Sequence, residues 1–295
     1  MLNETASLAQ WVGRTRKEED EVTLGAVRRL SAMLDRDPDE WRRGSELPES
    51  WYVILFGPVA LERTLVRDGH LPTGDFLPPM GEARRMFGGR RVRFHHPLKV
   101  GDRVERVSRV TRAEAKLGRS GPLNLITVVH ELSAGSGVAI TEEQDLVYRA
   151  PVAKDAPAKA QAGGARSEPK ATATDGKPEW SHTIALDPVL LFRYSAVTFN
   201  AHRIHYDLPY TRDVEGYPAL VMNGGLTALL LVETARAHLP GRLAGYEARA
   251  LHPLFVGQSV AFNGRVSGES AADLWASGPD GGRAYQVKAL IDRRP

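Results

Sequence analysis

The chain has 295 residues, 42% hydrophobic and 25% charged, enough for a full core and for two domains of ordinary size. The absence of cysteine excludes disulfides and thiolate zinc sites and suits a cytoplasmic protein. A formal net charge of +3 is a mild basic bias, not that of a polycation. The start, Met1-Leu2-Asn3-Glu4, lacks the basic end and apolar core of a signal peptide. Nothing approaches about eighteen consecutive apolar residues, so no transmembrane helix is expected.

In chain order, Trp51 to Val66 reads as a long apolar helix, followed by strands over Val104–Thr111, Leu125–Leu132 and Val138–Tyr148. Between helix and strands lies the densest basic patch, Arg84, Arg85, Arg90, Arg91 and Arg93. Such a patch suits the phosphates of a small molecule such as coenzyme A, and it equally suits a solvated strip. Nucleic acid is not expected, because interleaved aromatics and a recognition helix are missing. Residues 151–179 then carry Val152 as their only branched aliphatic and read as a flexible linker.

The second half opens with F-R-Y-S-A-V-T-F-N-A-H-R-I-H-Y-D, Phe192 to Asp207. Asn200, His202, Arg203, His205 and Asp207 crowd behind an apolar approach, a costly set to hold there unless protons move. Each histidine taken singly is more often a surface or satisfied core residue; the cluster favours a catalytic loop. Gly225 to Leu239 follows as a helix apolar nearly all round, bounded by Asn223-Gly224 and Pro240-Gly241. Strands are expected over Arg249–Phe255, Ser259–Val266 and Ala284–Ile291.

The halves repeat. His96-Pro97-Leu98-Lys99-Val100-Gly101 matches His252-Pro253-Leu254-Phe255-Val256-Gly257 at an offset of 156, and Arg29-Leu30-Ser31-Ala32 matches Arg193-Tyr194-Ser195-Ala196 at 164. Two matches in the same order argue for one fold written twice, of class α+β. At the 164 offset, Asn200 and His205 fall on Arg36 and Trp41, so only the second half keeps the polar cluster.

Ser195 to Asp207 resembles the hydratase motif of the MaoC-like, (R)-specific enoyl-thioester hydratase family. It resembles still more closely the branch of mesaconyl-C4-CoA and itaconyl-CoA hydratases. Gly74 to Pro79, Arg84 to Arg90, Lys116 to Gly121 and Glu142 to Arg149 extend the resemblance through the first half. The resemblance implies a tandem hot-dog fold, each half a sheet around a long central helix. It further implies a non-catalytic domain at 1–150, the linker at 151–179, and a catalytic domain at 180–295. The broader family's aspartate falls on Asn200 and its histidine on His205.

The implied reaction is hydration of an enoyl-CoA, or the reverse, on a short branched dicarboxyl substrate. It needs a base for water, an acid for the α-carbon and donors for the enolate oxygen. His205 is the expected proton carrier and Asn200 orients water, since an amide cannot take the proton. His202 and Asp207 are candidate supports. Asn223, Gly224 and Gly225 are candidate donors to the enolate oxygen at a helix start. Arg203 pairs either with a distal carboxylate or within the protein. Arg84, Arg85 and Arg90 are candidate coenzyme A contacts. No metal or separate cofactor is expected, and the state is a monomeric double hot dog or a homodimer. A 3-hydroxyacyl-thioester dehydratase of fatty-acid or polyketide synthesis, a thioesterase, and a non-catalytic acyl-CoA-binding subunit are the alternatives.

Overall fold

The computed structural model describes residues 5–81, 83–118, 121–135, 137–150 and 177–292. The linker expected at 151–179 lies outside the described residues but for its last three. Five strands come from the first half: β1 (Thr15–Glu21), β2 (Arg84–Phe94), β3 (Arg103–Gly118), β4 (Gly121–Ala134) and β5 (Gly137–Arg149). Five come from the second: β6 (Trp180–Ala185), β7 (Arg242–Ala250), β8 (Ser259–Gly268), β9 (Ala271–Ser277) and β10 (Arg283–Asp292).

All ten form one antiparallel sheet in the order β1-β3-β4-β5-β2-β7-β10-β9-β8-β6. The order is the same in each half, run outward from the seam where β2 pairs with β7 from Arg90↔Ala248 to Arg93↔Gly245. Helices α1 (Leu24–Met33) and α2 (Pro188–Val197) carry the matched Arg29–Ala32 and Arg193–Ala196 segments. The other match behaves alike. His96 N–H and His252 N–H bond the carbonyls of Ala139 and Ala284 just past β2 and β7. This is the tandem hot-dog arrangement.

The halves differ in their central helix. After the short α3 (Leu208–Asp213), the second half has α4, Gly224–Arg236, which buries Leu226, Leu229, Leu231 and Val232 against its sheet. Each such side chain contributes about 1.5–3 kcal/mol. In the first half the helix expected at Trp51–Val66 is instead six residues of 3₁₀ turn, Glu49–Ile54. Phe56 takes a left-handed φ of 59°, and Pro58 has no N–H to continue a helix. The chain then crosses towards the second half as a loop.

Other boundaries also shift. The strand expected at Arg249–Phe255 is the end of β7, which begins at Arg242, and the α4 helix stops at Arg236 rather than Leu239. The two halves share their core. Glu233 on α4 accepts from Ser50 Oγ at 3.2 Å and Trp51 Nε1 at 3.0 Å and pairs with Arg36 at 2.5 Å. Arg236 pairs with Glu49 at 2.8 Å.

Candidate active site

A cavity of ≈ 940 Å³ is lined by both halves, with Leu125, Leu132 and Leu146 of the first facing Asn200, His202 and His205 of the second. It occupies the side of the molecule where the first half has no central helix.

His205 sits on a 3₁₀ turn, Arg203–His205, and is 6% exposed. Its Nδ1 lies 2.7 Å from the Val221 carbonyl oxygen. A carbonyl only accepts, so Nδ1 carries the hydrogen and Nε2 keeps a lone pair. Burial, set against the Val221 hydrogen bond and aided by the nearby His70, pushes the His205 pKa down to about 4. The ring is therefore a neutral proton acceptor near pH 7.

Asn200 follows the end of α2, where Phe199 adopts a φ of 51° and Asn200 N–H bonds Ser195 O at 2.8 Å. Its Oδ1 accepts the His202 N–H at 3.0 Å, a local turn that fixes the amide. The amide NH₂ has no partner among the described residues. His202 lies with its ring 5.3 Å from His205, edge on. Burial first, then His70, His205, Arg85 and Arg84, hold its pKa well below the usual value.

At the start of α4, Asn223 Oδ1 caps Gly225 N–H at 2.7 Å and its Nδ2 faces His205 Nε2 at 3.3 Å. The Gly225 N–H is thus spent on the cap and not available to an enolate oxygen. The Gly224 N–H has no partner among the described residues and lines the same cavity. Gly225 has no room for a side chain: a Cβ would lie 2.5 Å from the buried Tyr194 hydroxyl.

Several expected residues are elsewhere. Arg203 Nε and Nη2 donate to Asp207 Oδ2 at 2.9 and 2.7 Å, and Nη1 donates to Arg67 O at 3.1 Å. Asp207 Oδ1 also caps Tyr210 N–H at 3.0 Å, and that bond, then Arg203, holds its carboxyl below the usual value. Neither lines the cavity. The pair is structural, which removes Asp207 as a partner of His205 and Arg203 as a carboxylate ligand.

The arginines divide too. Arg84 donates to Glu215 Oε2 at 3.0 Å and to Tyr217 OH at 3.1 Å, clamping one half to the other. Arg90 is 14% exposed and pairs with buried Glu142 at 2.7 Å, whose other oxygen accepts from Tyr52 OH at 2.8 Å. Its charge is spent inside, so it is no phosphate ligand. Arg85 lines the cavity, and its side chain makes no ion pair or hydrogen bond among the described residues. Arg36 and Trp41, the first-half equivalents of Asn200 and His205, bond Glu233 and Ser31.

Asp68 and His70 are absent from the sequence reading. The loop between the 3₁₀ turn and β2 brings them to the catalytic loop, where Asp68 O accepts Arg203 N–H at 2.9 Å. Gly69 makes this approach possible: with φ of 91°, any Cβ would lie 1.9 Å from Ala201 O. Asp68 Oδ2 lies 3.0 Å from His70 Nδ1, and the His70 and His202 ring centroids are 4.2 Å apart. Burial opposes the Asp68 charge, but the His70 donors and Arg85 outweigh it and hold the carboxyl below its usual value. Asp68, His70 and His202 each have a potential ligand atom within 4.8 Å of the others, a grouping of metal-binding residue types found nowhere else among the described residues. The Asp-Gly step is a turn signal that marks the loop, though not its destination.

Residues 50–256 match the family model for hydroxyacyl-thioester dehydratase type 2. The chain belongs to the hydroxyacyl-thioester dehydratase type 2 family. It is 40% identical over 286 residues to a mesaconyl-C(4)-CoA hydratase of Chloroflexus aurantiacus, covering 96% of this chain and 97% of that one. Solved structures share the fold of this family member. A MaoC-like dehydratase from Phytophthora capsici superposes with a TM-score of 0.69 at 12% identity, covering 96% and 97% of the two chains. HtdX of Mycobacterium tuberculosis gives 0.66 at 18% identity, covering 95% and 100%. These structures show the double hot-dog fold, and the family match places the chain among hydro-lyases. No helix among the described residues is long and apolar enough to cross a membrane.

Proposed function

We propose that this protein adds water to an α,β-unsaturated acyl-CoA thioester, or removes it, on a short branched C4-dicarboxyl substrate such as mesaconyl-C4-CoA. The observation that carries the reading is the His205 tautomer: its Nδ1–H is given to Val221, so the nitrogen at the wall of the cavity is the basic Nε2, which meets the Asn223 amide donor at 3.3 Å. As the water oxygen bonds the β-carbon, His205 Nε2 takes the water's proton, and the C=C electron pair moves to the thioester oxygen. Gly224 N–H, at the positive end of α4, steadies that oxygen. A proton is then delivered to the α-carbon, so atoms and charge balance. Asn200 holds the water.

Arg85 replaces Arg203 as the partner of a distal carboxylate or a coenzyme phosphate, being a cavity-lining guanidinium with no internal partner. Residues 1–150 supply walls and coenzyme contacts, 151–179 connect, and 180–295 supply His205. The protein works in the cytoplasm as a monomeric double hot dog or a homodimer, without a separate cofactor. The mesaconyl-C(4)-CoA hydratase likeness supports the dicarboxyl substrate.

A second reading, dehydration of longer 3-hydroxyacyl thioesters, draws on the cavity's leucines and on 34% identity to a mitochondrial hydroxyacyl-thioester dehydratase of Schizosaccharomyces pombe, over 36% of this chain and 35% of that one. Purified protein with a panel of enoyl-CoAs, followed by loss of the conjugated thioester absorbance, tests both. A kcat/KM at least about tenfold higher for the dicarboxyl than for straight-chain substrates supports the first reading. The opposite ranking supports the second, and no turnover of any of them rejects both.

A further inference from the structure

The carboxylate that the family resemblance places at position 200 is an amide here, and nothing on the catalytic loop replaces it, since Asp207 is bound to Arg203. Glu142, the carboxylate lining the cavity, is held by Arg90 and Tyr52. One carboxylate is nonetheless delivered to this site, from the other half of the molecule and through an imidazole. Asp68 is ionised and accepts only, so His70 donates Nδ1–H to it across 3.0 Å and presents Nε2 on its far side. Asp68 also accepts the His70 backbone N–H at 2.9 Å, which locks the two residues as a unit. His70 lines the cavity together with His202 and His205. Its ring packs on His202, and His202 packs on His205, so three imidazoles from two halves form a continuous row.

We propose that His70, oriented by Asp68, is the second proton-carrying side chain of the reaction, with Asp68 as its positioning residue. The proposal rests on the hydratase reading and deepens it. In hydration, His205 Nε2 receives the proton that water loses as its oxygen bonds the β-carbon. Protonated His70, an ion pair with Asp68, gives its Nε2 proton to the α-carbon as the enolate electron pair forms the C–H bond. The turnover closes when the His205 proton passes to His70, through the His202 ring between them or through solvent. One proton leaves water and one enters carbon, and neither imidazole is changed at the end. The division between a wall half and a chemical half is then crossed by one residue.

The test uses His70→Gln, His70→Asn and Asp68→Asn in the full chain, with whichever enoyl-CoA the parent hydrates. His70→Asn keeps a donor towards Asp68 and so preserves the loop if the larger change does not. Both His70 variants are expected to lower kcat by about 100-fold or more with KM within about threefold, and Asp68→Asn by about tenfold. Variants with kcat within threefold of the parent, or with only KM or melting temperature changed, overturn the proposal. Loss of parent activity on chelation, restored by zinc and weakened by His70→Asn, overturns it as well, by making the cluster a ligand set. A parent that hydrates no enoyl-CoA rejects the hydratase reading and this one together, whereas an active parent with indifferent His70 variants rejects this one alone.

Discussion

His205 gives its Nδ1–H to the Val221 carbonyl, 2.7 Å away on the strand-like segment leading to α4, and that bond decides which nitrogen meets the substrate. Replacing His205 by Gln should lower kcat by about 100- to 10,000-fold. Far-ultraviolet circular dichroism should stay unchanged. The same burial makes stability depend on pH. With a folded pKa of about 4, the ring adds stability that is complete above its ordinary value of 6.5 and is lost as pH falls between the two. The loss is on the order of 3 kcal/mol. Denaturant melts at pH 7 and pH 5 should show a smaller difference for His205→Gln than for the parent.

Asn200 tests whether an amide is needed where the broader family resemblance implies a carboxylate. Its Oδ1 is engaged with the His202 N–H, and Asp supplies the same acceptor. Asn200→Asp should therefore fold normally and keep turnover within about tenfold of the parent, or raise it, by adding a base beside the water. Steady-state kinetics decide the matter. Complete inactivity would show that the amide NH₂ is required.

Gly225 and Tyr194 form a steric pair. Gly225→Ala places a methyl against the Tyr194 hydroxyl and should cost about 1–3 kcal/mol of stability, with displacement of the α4 start and loss of turnover. Tyr194→Phe removes the oxygen at the contact. The double variant should recover part of both losses, readable as a non-additive shift in denaturation midpoint.

Arg84 and Arg85 are neighbours in sequence with different duties. Arg85→Gln should raise KM for a coenzyme A thioester several-fold with kcat nearly constant, and added salt should reproduce part of that rise in the parent. Arg84→Gln should instead lower the melting temperature, because it removes the cation that pairs with Glu215 at the joint between halves and leaves that carboxylate only the Tyr210 hydroxyl. Paired kinetics and melts on the two single variants separate these outcomes.

The legible parts of the molecule were those where one residue pattern answers to one local force. β10 shows in the sequence because its side chains alternate between a buried and a wetter face over Val287–Ile291, and β3, β4, β5 and β8 show as runs rich in branched and apolar residues. α4 shows because it is wrapped by sheet and apolar all round. The helix read into Trp51–Val66 is equally apolar, yet Phe56 and Pro58 turn the chain, and the buried Trp51 and Tyr52 pack on residues of both halves. Asn200 and His205 stand out in the sequence as part of a local cluster, and the fold places both at the cavity. For Arg203 the sequence leaves a substrate carboxylate and an internal pair level, and only the folded loop shows that Asp207, four residues on, takes the guanidinium. Asp68 and His70 reach His202 only through tertiary packing, for which no periodicity gives a sign.

The helix missing from the first half has a consequence for how the chain holds together. That half leaves one face of its sheet for a cavity and finishes its core with Trp51 and Ser50 bonded to Glu233 of the other half. Glu49 and Arg36 make ion pairs across the same boundary. Thermal unfolding is therefore expected to be one cooperative event for both halves, and a calorimetric trace with two transitions would count against that. Room for the substrate was obtained by giving up the independence of a duplicated domain.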